Sequence, residues 1–259
     1  MTNKNAFNYE KVDLYPIIFK RKSIRNYDLS PIDEDTLEGI SEALSNLTQL
    51  YSDIKTEIKI VSSDDVNQRI IMKKAPHYLA VFSETKKGYL TNVGFMLQQM
   101  DLLFSANGIG SCWQGIPIPY RNVLKSSDLK FVILIAFGKP SEPLYRNSIS
   151  EFKRKPLKKI SDIEVMDELL EPVRLAPSAT NSQPWFFRGD ESIIRAYSIK
   201  PNFLKAMIAN KFILIDMGIA IYHLKVAAEH LDKNPDIFIE ENEEENSPKG
   251  YEYIVTFNL

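Results

Sequence analysis

A chain of 259 residues with 44% hydrophobic residues, 25% charged residues and a formal net charge of −2 has an ordinary globular composition, and it is long enough to bury a large core in one domain or in two closely packed halves. The near-neutral balance argues against a general nucleic-acid binder, which carries a strongly basic face, and no apolar run approaches the ~20 residues needed to cross a bilayer. Cys112 is the only cysteine, which excludes an internal disulfide; with no hydrophobic signal-peptide core in MTNKNAFNYEKVDLY, the expected location is the cytoplasm.

In chain order, a helix is expected to open near Pro31-Ile32-Asp33 and to run through the amphipathic segment Asp35 to Leu47. Val93, Met96, Leu97, Met100, Leu103 and Phe104 then fall at helical spacing and form one apolar stripe, and Gly108 is placed to end that helix. Phe131 to Phe137 is a short apolar run closed by Gly138, the pattern of a buried strand. The stretch 139–161 holds three prolines, the basic run Lys153-Arg154-Lys155 and then Lys158-Lys159, and reads as a linker. A second amphipathic segment spans Ile163 to Leu175. Phe212 to Ile215 fits a buried strand or a helix start, and Met217, Ala220, Ile221, Leu224, Ala227 and Ala228 form a second helical stripe. Glu240 to Glu245 reads as a solvated acidic loop, and Tyr251 to Leu259 as β-rich.

The same order of elements occurs twice. The openings Asn92-Val93-Gly94 and Asp216-Met217-Gly218 correspond, with Asn92 and Asp216 suited to be N-caps whose side-chain oxygens satisfy a free backbone N–H. Agreement in order, period and caps argues for an internal duplication. The expected fold class is α+β: two related halves, each with a β-sheet packed on long central helices, at 1–145 and 162–259, joined by a linker at 146–161.

Three segments carry candidate chemistry. Arg21-Lys22-Ser23-Ile24-Arg25-Asn26-Tyr27 sets three cations and a hydroxyl within five residues, enough to surround a phosphate with charge-assisted hydrogen bonds; in an extended segment Arg21, Ser23 and Arg25 point to one side. By composition alone such a cluster is more often a solvated basic turn. Ala176 to Trp185, APSATNSQPW, puts small and amide-bearing residues between two prolines, making a rigid, donor-rich loop between a helix and the strand-like Trp185-Phe186-Phe187. Gly108 to Pro117, GIGSCWQGIP, is no dinucleotide fingerprint, since its glycine spacing fails G-x-G-x-x-G; Gly115 would let backbone approach a ligand closely. Cys112 has no histidine close in sequence to activate it and reads as a buried structural thiol. His77, His223 and His230 show no metal-ligand spacing; His223 and His230, on one helix, read as core-edge residues. No phosphate loop of the G-x-x-x-x-G-K-[ST] type is present.

Together these segments resemble the nitroreductase family of FMN-dependent oxidoreductases, whose recurring motifs are R-x-S-x-R, A-P-S-x-x-N-x-Q-P-W and G-x-G-S-C-W. The resemblance covers nearly the whole chain and is weakest at 48–75 and 188–210. It departs from the family pattern in one respect. The first half carries RKSIR and GIGSCWQG but has Ser45-Asn46-Leu47-Thr48 where A-P-S-x-x-N belongs. The second half carries APSATNSQPW but has His230-Leu231-Asp232-Lys233-Asn234 in place of the glycine-tryptophan loop. The chain thus resembles the internally duplicated branch, a monomeric single-chain pseudo-dimer expected to keep one composite flavin site.

Carried over residue by residue, the resemblance implies that Arg21, Lys22, Ser23 and Arg25 hold the FMN phosphate and ribityl chain. Pro177, Ser178 and Asn181 would contact the flavin, the backbone N–H groups of Gly115 and Ile116 would lie near N5, and Arg154 or Lys155 would reach the phosphate. Lys73 or Lys74 is a candidate for the pyrimidine edge, in a region that does not align. The implied activity is an FMN-dependent NAD(P)H oxidoreductase passing hydride through flavin N5 to a small electron-poor acceptor, a nitroaromatic or a quinone, with ping-pong kinetics. No side chain is assigned as catalytic. The alternatives are a flavin-binding carrier, sensor or flavin-modifying protein without such turnover, and a flavin-free scaffold, against which the retained Arg21, Ser23, Arg25 and Asn181 argue.

Overall fold

The run Phe131 to Phe137 lies inside the strand Lys130–Gly138, and every residue of that strand from Val132 onward is buried, as a strand covered on both faces requires. The computed structural model describes residues 7–67, 74–164, 166–200 and 206–259, with 206–209 as backbone alone. The chain divides into two compact units, one formed by Met1–Tyr89 with Gln99–Ser148, the other by Leu90–Gln98 with Ile149–Leu259.

In the first unit, α1 (Glu34–Ser45) starts at Asp33, whose carboxylate accepts the Thr36 N–H at 3.0 Å. The sheet consists of β1 (Thr56–Ser62), β2 (His77–Ser83), β3 (Gly110–Gln114) and β4 (Lys130–Gly138), all neighbours antiparallel, in the order β1-β2-β4-β3. Ile24, Tyr27, Tyr78, Phe82, Leu134 and Ala136 are among the residues of its core. The helix α2 (Tyr89–Ala106) lies between β2 and β3 in sequence. It ends as the glycine anticipated: Gly108 takes φ +77°, and the Ile109 N–H donates to Phe104 O at 2.9 Å, the six-to-one bond of a Schellman motif.

The second unit holds α3 (Asp167–Leu175), β5 (Trp185–Gly189), β6 (Ile193–Ile199), α4 (Ala206–His230), β7 (Asp236–Phe238) and β8 (Tyr251–Asn258). Its sheet is again antiparallel, in the order β5-β6-β8-β7. Both sheets are therefore built from strand, strand, long helix, strand, strand, and both place the fourth strand beside the second. Within this unit, residues 90–98 of α2 pack on α4 with no room for a side chain at either glycine. A Cβ on Gly94 would meet Ile215 O at 2.1 Å, and one on Gly218 would meet Thr91 O at 2.0 Å. Ile215 precedes Gly218 by three residues and Thr91 precedes Gly94 by three, the reciprocity expected of a two-fold contact. Shared topology and this reciprocal crossing support the internal duplication we propose for the chain.

Three expectations are corrected. Asn92 and Asp216 are not N-caps. α2 opens behind Gly88, at φ +85°, and α4 is already helical from Ala206, because the residues ahead of each stripe are helix-compatible and no breaker intervenes. For the same reason Phe212 to Ile215 continues α4 and is neither strand nor helix start. The acidic stretch is not a solvated loop throughout. Glu243 is buried and accepts the Tyr197 O–H at 2.6 Å, and Glu240 takes two bonds from Arg195, at 2.8 and 3.0 Å; charge pattern alone does not reveal that β6 offers these partners. Residues 149–161 belong to the second unit, where the Phe187 N–H donates to Ile160 O at 2.8 Å. Among the described residues no helix is long and apolar enough to cross a membrane, and no cluster of histidine, cysteine and carboxylate side chains is placed to hold a metal ion.

Candidate functional site

In the first unit the structure joins the RKSIR and GIGSCW segments. The Ile24 N–H donates to Ser111 O at 2.9 Å. The contact is close enough that a Cβ on Gly110 would meet Ile24 Cβ at 2.8 Å. Arg21 is 1% exposed and its Nε lies 3.0 Å from Oδ2 of Asp101, which is fully buried in α2. Ser111 donates to the other carboxylate oxygen at 2.7 Å, so one buried acid ties both motifs to the helix. Arg21 Nη2 donates to Ser23 Oγ at 3.2 Å. Arg25 is exposed, donates weakly to Ser23 O at 3.5 Å, and forms no ion pair among the described residues.

The opposite side of this extended segment meets Glu142. Its carboxylate accepts the N–H groups of Arg25 at 2.9 Å and Asn26 at 3.1 Å and pairs with Lys22 at 3.4 Å. These bonds, the Arg25 N–H foremost, hold it below the usual carboxylate range. Alternation along the segment thus gathers Arg21, Ser23 and Arg25 and sends Lys22 to Glu142. Gly115 and Ile116 follow β3 in an exposed bend. Cys112 is buried, and burial pushes its thiol up, in keeping with a structural role.

In the second unit the A-P-S-x-x-N loop and the basic segment come together. Arg154 donates through Nη1 to Asn181 Oδ1 and through Nη2 to Leu175 O at 3.2 Å, while Asn181 Nδ2 donates to Lys153 O at 2.9 Å. Lys155 donates to Gln183 twice, from its backbone N–H at 2.8 Å and from Nζ at 3.0 Å; burial lowers its ammonium. Ser178 Oγ accepts the Gln183 N–H at 2.9 Å, and Pro177 is buried beside it. Thr180, Asn181, Gln183 and Lys153 all have positive φ, between 45° and 59°, a sparsely populated region for residues with a Cβ.

Sequence reading gave no site role to four residues, Asp101, Glu142, Gln183 and Asp216. Asp101 and Asp216 each interrupt an apolar helical run, which was the available signal. Asp216 accepts the Ala179 N–H at 3.0 Å through both carboxylate oxygens. Burial pushes its carboxyl up to about 8, against the pull of the Ala179 N–H, the Ser182 hydroxyl and Arg154. His223 is fully buried, not at the core edge: Nδ1 lies 2.8 Å from Pro172 O and Nε2 3.1 Å from Gln98 Nε2, which fits a neutral ring donating at one nitrogen and accepting at the other. Lys74 is exposed; Lys73 lies outside the described residues.

Comparison with known proteins bears on the whole chain. The family model described as "Putative TM nitroreductase" matches residues 13–228. A solved Thermotoga maritima protein described as a nitroreductase shares the fold with a TM-score of 0.67 at 19% identity, over 100% of this chain and 99% of that one. A Bacteroides thetaiotaomicron structure described as an NADH dehydrogenase/NAD(P)H nitroreductase gives 0.44 at 19% identity, over 57% of this chain and 95% of its own. An FMN-dependent nitroreductase from Clostridium difficile gives 0.44 at 17%, over 56% and 95%. No curated protein matches the chain. With a family model aligned across residues 13–228, the chain belongs to this nitroreductase family.

Proposed function

We propose that the protein is an FMN-dependent NAD(P)H oxidoreductase of nitroreductase type, passing hydride through flavin N5 to a small electron-poor acceptor such as a nitroaromatic or a quinone, and working as a monomer. The observation that carries the reading is the donor set around Ser23. Arg25 offers an exposed guanidinium without a carboxylate partner among the described residues, next to a hydroxyl and a second arginine. That chemistry suits a phosphate, which takes up fork-shaped guanidinium donors.

Arg25 and Ser23 would hold the FMN phosphate directly. Arg21, already paired with Asp101, fixes the Ser23 hydroxyl from behind. Ser178 accepts the Gln183 N–H and keeps its own O–H to donate, so with Pro177 and Asn181 it would contact the flavin ring system. Arg154 holds Asn181, and Gly115 and Ile116 would offer backbone N–H groups close to N5. When bound, FMN supplies the two-electron chemistry itself, and the protein contributes position and electrostatics.

The test is the visible spectrum of the purified protein, with flavin stoichiometry, before and after anaerobic NAD(P)H. About one FMN per chain, bleached by NAD(P)H, is the expected result. Bound flavin that resists reduction would turn the reading to a carrier, sensor or flavin-modifying protein. A colourless protein that takes up no added FMN would end the cofactor assignment.

A further inference from the structure

Asp216 lies within the apolar run Phe212 to Tyr222 of α4 and is 4% exposed. A carboxyl in that setting needs a reason, because burying one without partners is strongly unfavourable. Its reason is the turn Ser178–Gln183. Resting on the flavin reading above, we propose that Asp216 is a positioning residue. From the helix it holds the Ala179 N–H and thereby fixes the left-handed pair Thr180-Asn181, so that Ser178 and Asn181 meet the cofactor in one arrangement.

The turn is held from both ends. On the inner side both Asp216 carboxyl oxygens accept the Ala179 N–H at 3.0 Å. On the outer side Arg154 donates to Asn181 Oδ1, and Asn181 donates to Lys153 O at 2.9 Å. Within the turn, Asn181 N–H donates to Ser178 O and Ser182 N–H to Ala179 O, both at 3.1 Å. Thr180 at φ 53° and Asn181 at φ 59° are adjacent. Two consecutive side-chain-bearing residues in that region persist only where the surroundings over-determine them. Removing the inner anchor frees the pair to relax.

A neutral acceptor suffices for this task. With its carboxyl pushed up to about 8 by burial, Asp216 accepts the N–H as an uncharged acid at neutral pH, and an amide would serve as well. The corresponding position of the first half is an amide, Asn92. That half has SNLT in place of the turn.

The experiment compares Asp216→Ala and Asp216→Asn with the unmutated chain. It reads residue-resolved amide exchange of Ala179 to Gln183 without flavin, and FMN affinity by fluorescence quenching. Asp216→Ala is expected to speed exchange in the turn and to weaken FMN, each by roughly tenfold or more, while Asp216→Asn stays within about threefold on both. That rescue separates anchoring from bulk packing. A folded Asp216→Ala with unchanged exchange and affinity overturns the proposal. So does an Ala179 amide that exchanges at open-loop rates in the unmutated protein, a measurement that needs no variant to fold. Absence of FMN uptake by the unmutated chain would refute the cofactor reading, and the exchange rates alone would then decide whether Asp216 holds the turn.

Discussion

Replacing Asp101 by asparagine should destabilise the protein far more than an isosteric change suggests. The carboxylate is fully buried, the Arg21 guanidinium is 1% exposed, and their nearest atoms are 3.0 Å apart. The amide keeps the shape but removes the counter-charge, leaving a guanidinium in the core and a Ser111 hydroxyl, now 2.7 Å from its acceptor, facing a weaker one. Breaking a buried pair from one side typically costs about 3–5 kcal/mol, a large part of the roughly 5–15 kcal/mol that holds a domain folded. At ~2–4 °C per kcal/mol for a chain of this size, the melting midpoint should fall by roughly 6–20 °C.

Urea denaturation followed by circular dichroism measures the loss. A second variant checks the cause: Arg21→Met combined with Asp101→Leu removes both charges, and replacing a buried pair by apolar residues is often neutral or stabilising by about 1–4 kcal/mol. The double variant should therefore recover most of what Asp101→Asn loses. An Asp101→Asn protein within about 1 kcal/mol of the parent, or a double variant as unstable as the two single losses added, would refute the argument.

Arg25→Ala removes an exposed guanidinium, so it should weaken FMN by about 10- to 100-fold, the worth of a charged hydrogen bond, while stability changes by no more than ~0.5 kcal/mol; flavin titration beside a melting curve separates the two effects. Asp216 should make stability fall as pH rises. With a folded value of about 8 against about 4 unfolded, the folded state keeps between those limits a proton that the unfolded chain has released, so raising the pH favours unfolding. The slope from this group is at most ~1.4 kcal/mol per pH unit, and urea midpoints from pH 5 to 8 should flatten in Asp216→Asn. Gly94→Ala puts a Cβ 2.1 Å from Ile215 O and should lower stability by about 1–3 kcal/mol or more; Gly218→Ala should lose a similar amount in thermal melts, since the crossing is reciprocal.

The sequence made legible whatever depends on local periodicity or on an uninterrupted motif. The stripe from Val93 to Phe104, the run from Phe131 to Gly138 and the stop at Gly108 all appear where their spacing places them. So does the turn between α3 and β5, because its prolines and amides are local signals. Helix starts were less legible. Asn92 and Asp216 have cap-forming side chains, but a cap needs a free N–H ahead of it, and both helices continue upstream. Partnership across the fold was least legible. Glu142 lies more than a hundred residues from Arg25 and Asn26, which it binds. Glu240 and Glu243 look like solvated charges until β6 brings up Arg195 and Tyr197.

Asp101 and Asp216 show how far one residue type can be driven apart by its surroundings. Each interrupts an apolar helix, and each reaches a motif outside it. Asp101 meets a guanidinium at 3.0 Å and serves as its counter-charge. Asp216 meets chiefly a backbone N–H at 3.0 Å, while the nearby Arg154 donates to Asn181 and Leu175 O. Desolvation therefore outweighs attraction and pushes its carboxyl up to about 8. Asparagine should fail in the first position, because an amide cannot balance a buried cation, and should succeed in the second, because an amide oxygen accepts an N–H as a neutral acid does. Equal losses at both positions, measured in urea at pH 7, would mean that packing rather than charge sets the demand at each acid.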